Sequence, residues 1–186
     1  VTAAVAGGPS VVSVSRDSAH RFSKPTVGSI ELVAGWGIEG DSHAGTTVQH
    51  RYHVKKDPTA PNLTQVHLIA SELFGDLADQ GFTVTAGELG ENVTTVGIDL
   101  ISLPEGALLH LGDSAVVQIT GLRSPCTLIN RFQKGLMKAC LSRDGDGTLI
   151  RKAGVMGVVV RGGTVSPPSA IRVELPEGAH VPLRPL

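Results

Sequence analysis

The sequence predicts a mainly β fold, a barrel or sandwich of short strands, and three observations carry that expectation. Turn formers recur at short intervals: Gly7-Gly8-Pro9, Gly35-Trp36-Gly37, Gly40-Asp41, the Gly87 to Gly90 block, Pro104-Glu105-Gly106, Gly112-Asp113, Gly162-Gly163 and Pro176-Glu177-Gly178. Apolar runs of strand length lie between them. The run Ile171-Arg172-Val173-Glu174-Leu175 alternates apolar and polar residues, the pattern of a strand with one face buried. With 23 Gly and 11 Pro in 186 residues the chain is rich in turns, yet below the about 25–30% of low-complexity sequence.

The expected strands are 11–14, 29–33, 93–100, 107–111, 115–120, 155–160 and 171–175. The pentapeptide Leu-Pro-Glu-Gly-Ala occurs at both 103–107 and 175–179, but its flanks do not match, so it reflects shared turn chemistry. Two segments follow a helical period instead. Apolar residues at 66, 69, 70, 73, 74 and 77 predict an amphipathic helix, with Asn62 as N-cap, Gln65 three residues on, and Gly81 as the stop. Leu128, Ile129, Phe132, Leu136, Ala139 and Cys140 form a second stripe, opposed by Arg131, Lys134 and Lys138, with Gly135 as its weak point. The segment 45–62 reads as a long loop that covers or lines a site.

Composition narrows the function. Sixteen Lys plus Arg against 17 Asp plus Glu, and a pI near 6.7, give no basic footprint for nucleic acid. No apolar stretch approaches the roughly 20 residues that span a bilayer, so no membrane association is expected. The apolar stretch 1–14 lacks a basic start and is broken by Gly7, Gly8 and Pro9, unlike a signal peptide. Two cysteines are too few for a disulfide framework. A cytoplasmic protein of one domain, 1–186, is the expectation.

Cys126 is the most informative residue. It follows an apolar strand, precedes the second helical stripe and stands three residues after Arg123; a helix start and a cation both favour a thiolate. The alternative is a small buried hydrophobe, which is how Cys140, on the apolar stripe, is read. Gly87-Glu88-Leu89-Gly90-Glu91-Asn92-Val93-Thr94-Thr95 offers close backbone approach together with donors and acceptors for a polar heterocycle or anion, or equally the turn of a hairpin. Asp41, His43, His50 and His53 could hold a metal, as in a hydrolase, or be solvated loop residues. His67 is read as flanking the helical stripe at its boundary. Lys24, Arg51, Arg123, Arg151 and Lys152 could converge on a phosphate. Trp36, flanked by glycines, either lines a pocket or plugs the core. Phosphate-binding Gly-Lys-Ser/Thr, dinucleotide and serine-esterase motifs do not occur.

The ordered blocks Gly37-Ile38-Glu39-Gly40-Asp41-Ser42-His43, Asn62-Leu63-Thr64-Gln65-Val66-His67, Gly90-Glu91-Asn92-Val93-Thr94, Thr120-Gly121-Leu122-Arg123-Ser124-Pro125-Cys126 and Gly154-Val155-Met156-Gly157-Val158 resemble the MOSC domain family over about 24–165. This domain forms the C-terminal part of molybdenum cofactor sulfurases and also occurs as small stand-alone bacterial proteins. The resemblance implies a β-barrel of short strands with a few peripheral helices and a pocket for molybdenum cofactor, a molybdopterin. It implies that Cys126 is the working thiol, as molybdenum ligand or as persulfide carrier, assisted by Arg123. Gly90, Glu91, Asn92, Thr94, Lys24, Asp41, His43 and Lys152 are the cofactor-binding residues it suggests. The activity implied is sulfur transfer to metal centres, or reduction of N-hydroxylated compounds. A non-catalytic module that delivers the cofactor is the rival. Ser124 stands where relatives often have Asn, and Thr64 where they often have Arg, which removes a cation. A Gly-Asp turn expected after Val165 is replaced by Ser166-Pro167-Pro168-Ser169. No pyridoxal phosphate, iron-sulfur or flavin module is evident. A small-molecule substrate, and a sulfur donor of the cysteine desulfurase type or an electron-transfer protein, are therefore the expected partners.

Overall fold

The computed structural model describes residues 7–186, the side chain of Tyr52 excepted. Residues 1–6, the start of the stretch read as unlike a signal peptide, lie outside the described residues. In chain order the elements are β1 (Ser10–Ser15), β2 (Thr26–Val27), β3 (Ile30–Val33), β4 (Gly37–Ile38), α1 (Arg51–Lys56), β5 (Val66–Ala70), α2 (Glu72–Ala78), β6 (Val93–Val96), a 3-10 turn (Leu100–Ser102), β7 (Leu108–Leu111), β8 (Ala115–Leu122), α3 (Thr127–Phe132), α4 (Leu136–Ala139), β9 (Leu141–Arg143), β10 (Leu149–Arg151), β11 (Val155–Arg161), β12 (Gly163–Val165) and β13 (Ser169–Glu174).

The strands close a barrel of seven in the order β13-β7-β8-β11-β5-β6-β1, with β1 pairing back to β13 and β2 attached to β1. Its pairings are antiparallel except β5 with β6, and the connection between those two carries α2. Closure leaves few edges to protect. Every second residue of β8, namely Ala115, Val117 and Ile119, points into the barrel with Leu109, Leu111, Val155, Val159 and Ile171. β13 buries Ile171 and exposes Arg172 and Glu174, the alternation expected of it. In β1, Val11 and Val14 both face inward although three residues apart, because a bulge between Val11 and Ser13 resets the register against β6.

A second core lies outside the barrel wall. It joins Ile69, Leu73, Leu77, Val84, Leu89, Ile129, Leu136, Ala139, Cys140 and Ala153, with Phe22, Phe82 and Phe132 packed on it.

This outer layer corrects the expected helix from Val66. Residues 66–70 form β5, whose Val66 and Leu68 fill the barrel while Ile69 faces the outer core. A strand covered on both faces loses its alternation and can imitate a helical stripe. The helix begins only at Glu72, and Gly81 does end it, at φ 86 with its N–H on the Ala78 carbonyl. Asn62 is not its cap. The second stripe breaks where Gly135 adopts φ 91, leaving α3 and α4, and Leu128 is 39% exposed. The 45–62 loop contains α1 and is closed by a bridge between Thr47 and Pro61. Trp36, 46% exposed at the turn between β3 and β4, plugs neither core. Among the described residues no helix is long and apolar enough to cross a membrane.

Candidate functional site

The end of β8 sets the position of the thiol. The Arg123 N–H donates to the Gly154 carbonyl at the start of β11, 3.0 Å away. On the other side Leu122 exchanges backbone hydrogen bonds with the tail, donating to Arg184 and accepting from Leu186, and Ser124 Oγ donates to the Leu186 carbonyl. Pro125 then turns the chain, and Cys126 sits in extended backbone as the N-cap of α3, its thiol partly exposed. Its charged neighbour in the chain is Arg123, which feels the sulfur electrostatically. The Arg123 Cζ lies 5.9 Å from the centre of the Phe22 ring, and its Nη1 is buried with no hydrogen-bond partner. Burial pushes its guanidinium below the usual arginine value, against the opposing pull of Cys126, Cys140 and Glu91.

Beside it lies a buried polar node centred on Asp41. Lys24 Nζ donates to both Asp41 oxygens at 3.0 and 2.8 Å, and the two side chains are 3% and 0% exposed. Asp41 also accepts from Asn92 Nδ2 (2.9 Å) and from the N–H groups of His43 (3.0 Å) and Asp17 (3.3 Å). Burial raises the Asp41 carboxyl, but the hydrogen bonds and the Lys24 charge outweigh it and hold the group well below the usual carboxylate range. For Lys24 burial wins, and its ammonium falls below the ordinary lysine value despite Asp41.

Asn92 is fully engaged. Its Nδ2 donates to the Ser15 carbonyl and to Asp41, and its Oδ1 accepts from the His67 N–H. It therefore ties β1, β5 and the Asp41 loop together and has no amide N–H left over. Glu91 is also buried, with Oε1 accepting from Gly87 N–H (2.6 Å) and Thr94 Oγ1 (3.3 Å), while Oε2 has no partner; burial pushes its carboxyl up. Gly90 has φ 85, and a side chain there would meet the Phe22 carbonyl at 2.5 Å, so the glycine serves the packing of the block.

Histidines complete the surroundings. His67, read from the sequence as a boundary residue, is buried on β5, and its Nε2–H donates to the Ala153 carbonyl at 2.8 Å. Burial and the nearby Arg123 charge keep it neutral, well below the usual histidine range. His20, His43, His50 and His53 form an arc with successive ring centres 5.5, 6.5 and 5.4 Å apart. His43 Nδ1 rests 3.3 Å from Asp41, and His20 Nε2 3.3 Å from the Gln49 carbonyl.

Lys24, Asp41, His43 and Asn92 thus meet in one network, and Arg123 is electrostatically coupled to Cys126 and Glu91. Lys152 goes elsewhere: its ammonium lies 3.6 Å from Asp76, at a recess of about 340 Å³ lined also by Glu72, Asp99 and Ile101. Among the described residues no group of three or more His, Cys, Asp or Glu is arranged to hold a metal ion, so Asp41, His43, His50 and His53 are not a hydrolase-type metal centre. Asp41 is spent on Lys24. Sequence reasoning missed His20 and Phe22, which come from a different segment and carry no motif.

A barrel of this kind with its thiol at a strand end defines a class, and a family model agrees. The MOSC domain model matches residues 49–174, which include Asn92, Arg123 and Cys126. The chain belongs to the MOSC domain family. Solved structures share the fold: YuaD from Bacillus subtilis has a TM-score of 0.72 at 20% identity, covering 91% of this chain and 97% of that one. YiiM from Geobacillus stearothermophilus gives 0.66 at 19% identity, covering 94% and 79%; YiiM from Escherichia coli gives 0.61 at 18%, covering 92% and 73%. A search of the curated proteins finds no match to the chain.

Proposed function

We propose that this protein binds molybdenum cofactor at the end of β8, with Cys126 as the thiol that meets the metal or carries sulfane sulfur. The family is associated with that cofactor through the C-terminal domains of molybdenum cofactor sulfurases. The observation that supports the reading in this chain is the buried, unpartnered Nη1 of Arg123 three residues before a partly exposed thiol. A buried guanidinium donor without an acceptor costs stability, and an oxo or phosphate oxygen would satisfy it. A soft thiolate suits molybdenum or sulfur. The residues present therefore fit the group.

When bound, the cofactor supplies a metal centre that exchanges electron pairs and oxo or sulfido groups. Arg123 stabilises negative charge at Cys126 and on an oxygen of the ligand. Glu91, its carboxyl raised by burial, can hold a proton behind Arg123. The Lys24, Asp41 and Asn92 node fixes the wall and leaves the Cys126 loop as the accessible edge. As a sulfur carrier, the Cys126 thiolate would take the outer sulfur of a donor persulfide and release the donor's thiolate, which is why a cysteine desulfurase type partner is proposed. As a reductase for N-hydroxylated compounds, the chain would take electrons from a separate electron-transfer protein.

Native mass spectrometry with molybdenum analysis, on wild type and Cys126→Ser from a host that makes the cofactor, tests this. An adduct of cofactor mass carrying molybdenum, lost in the variant, supports the metal ligand. A single added sulfur on Cys126 supports the carrier. The absence of both adducts refutes the proposal, and an adduct that survives Cys126→Ser without turnover favours the delivery module.

A further inference from the structure

We propose that His20, His43, His50 and His53, together with Arg123, form a binding site for a doubly charged tetrahedral oxyanion. The four rings follow one another at 5.4–6.5 Å, although they come from two separate segments, so the fold has gathered them. Burial lowers His50 most, and the charged groups that add to this are His43, His53, Arg123 and His20, every one a cation when protonated. All four disfavour a proton on His50. Such crowding is a cost in the free protein and an asset once an anion arrives.

Among the described residues, Asp41, Asp17 and Glu91 are already engaged or buried, and Asp41 is shared with His43 of the arc itself. Asp41 is held by Lys24, Asn92 and His43. Asp17 is held by Arg21 through bonds of 2.6 and 2.9 Å, which lower its carboxyl to about 2. Glu91 is buried, and burial favours its neutral form. Arg123 keeps an unpartnered buried Nη1. The protein as a whole carries a net charge of −1, so this local excess of cationic groups is not a property of the surface at large.

An imidazolium offers two N–H donors, and several imidazoles with a guanidinium match the four acceptors of a sulfate or phosphate group. Because the anion prefers the protonated rings, its binding takes up protons. Affinity therefore rises as pH falls through the bound-state value of His50, and levels off below its free value. The site does not depend on the Cys126 chemistry. Its natural occupant is either the phosphate of a bound cofactor or a free oxyanionic substrate, two sources of one chemistry.

Inorganic sulfate, which stays a dianion throughout, is the probe. It would be titrated into the full chain between pH 5.5 and 8 at constant ionic strength set with chloride, with the histidine ring signals followed by NMR. Sulfate should raise the titration of His50 and bind about tenfold more weakly per pH unit on the alkaline side for each proton taken up. His50→Gln and His43→Gln should weaken it about tenfold or more, the loss of a charged contact. His110→Gln, at a ring paired with Glu174 on the far hairpin, should not change it. Sulfate no more effective than chloride, or binding unchanged in both His50→Gln and His43→Gln, would overturn the proposal. Cys126→Ser should retain sulfate, so a failure here is distinct from a failure to load cofactor. In cofactor-loaded protein, exclusion of sulfate identifies the cofactor's phosphate as the occupant, and retained binding identifies a free substrate.

Discussion

Replacing Lys24 by Met removes the ammonium bonded to both oxygens of a carboxylate whose side chain is fully buried. Methionine fills a similar volume, so the change isolates charge from packing. Two bonds of 2.8 and 3.0 Å are lost, while the N–H donors of Asn92, His43 and Asp17 stay with Asp41. Breaking a buried pair by removing one partner costs about 3–5 kcal/mol. For a chain of this length each kcal/mol moves the midpoint about 2–4 °C, so Tm should fall by roughly 6–20 °C at pH 7. The Asp41 carboxyl in the variant should titrate upward, since its largest charged partner is gone, and the deficit should shrink as pH drops below 5. Lys24→Met combined with Asp41→Asn should be less damaging than the two single changes added together, by about 1–3 kcal/mol of coupling. Thermal unfolding followed by circular dichroism on the four proteins measures this. A Tm within 2 °C of wild type for Lys24→Met, or strict additivity, would refute the account of Asp41 as the centre of a charge-paired node.

Other outcomes are expected with equal definiteness. His67 is held neutral in the fold but takes a proton near 6.5 when unfolded, so the unfolded state binds more protons below that pH and stability falls on acidification by up to about 1.4 kcal/mol per unit; His67→Gln should flatten the Tm profile between pH 6.5 and 5. Gly154→Ala must accept φ 94 and would drive its Cβ into the Leu68 carbonyl, for a loss of about 2–4 kcal/mol by chemical denaturation. Leu109→Ala, at a fully buried barrel position, should cost about 2–5 kcal/mol, whereas Leu175→Ala, 63% exposed, should stay within about 0.5 kcal/mol.

The parts of this fold legible in the sequence are those where one face is wet. β8 and β13 alternate because solvent or a thin layer covers their outer side. β5 hid because its two faces serve two cores, and hydrophobicity without contrast carries no period. Gly135 was visible as a weakness of a helix, but only the packing of Ile129 and Leu136 into one core shows why the chain breaks there and keeps both pieces. In the candidate site, Cys126 and Arg123 can be paired from the sequence because they are neighbours in a short motif. Lys24, Asp41 and Asn92 were each named, yet their meeting depends on contacts across 17 and 51 residues that no local pattern encodes. His20 joined the arc through a loop with no signature. Lys152 illustrates the converse, a basic residue close in sequence to the Gly154 block whose charge the fold spends on Asp76.

The wall and the rim of the candidate site are anchored unequally. Arg123, Asn92 and His67 are fastened to β8, β11 and β5, strands that also enclose the barrel interior, so any change that loosens them weakens the whole molecule. Two of the four arc histidines, His50 and His53, ride instead on the segment around α1, attached by a single bridge and a few loop hydrogen bonds. Rim residues can therefore be exchanged at little risk to folding, while the thiol and its guanidinium stay where the barrel puts them.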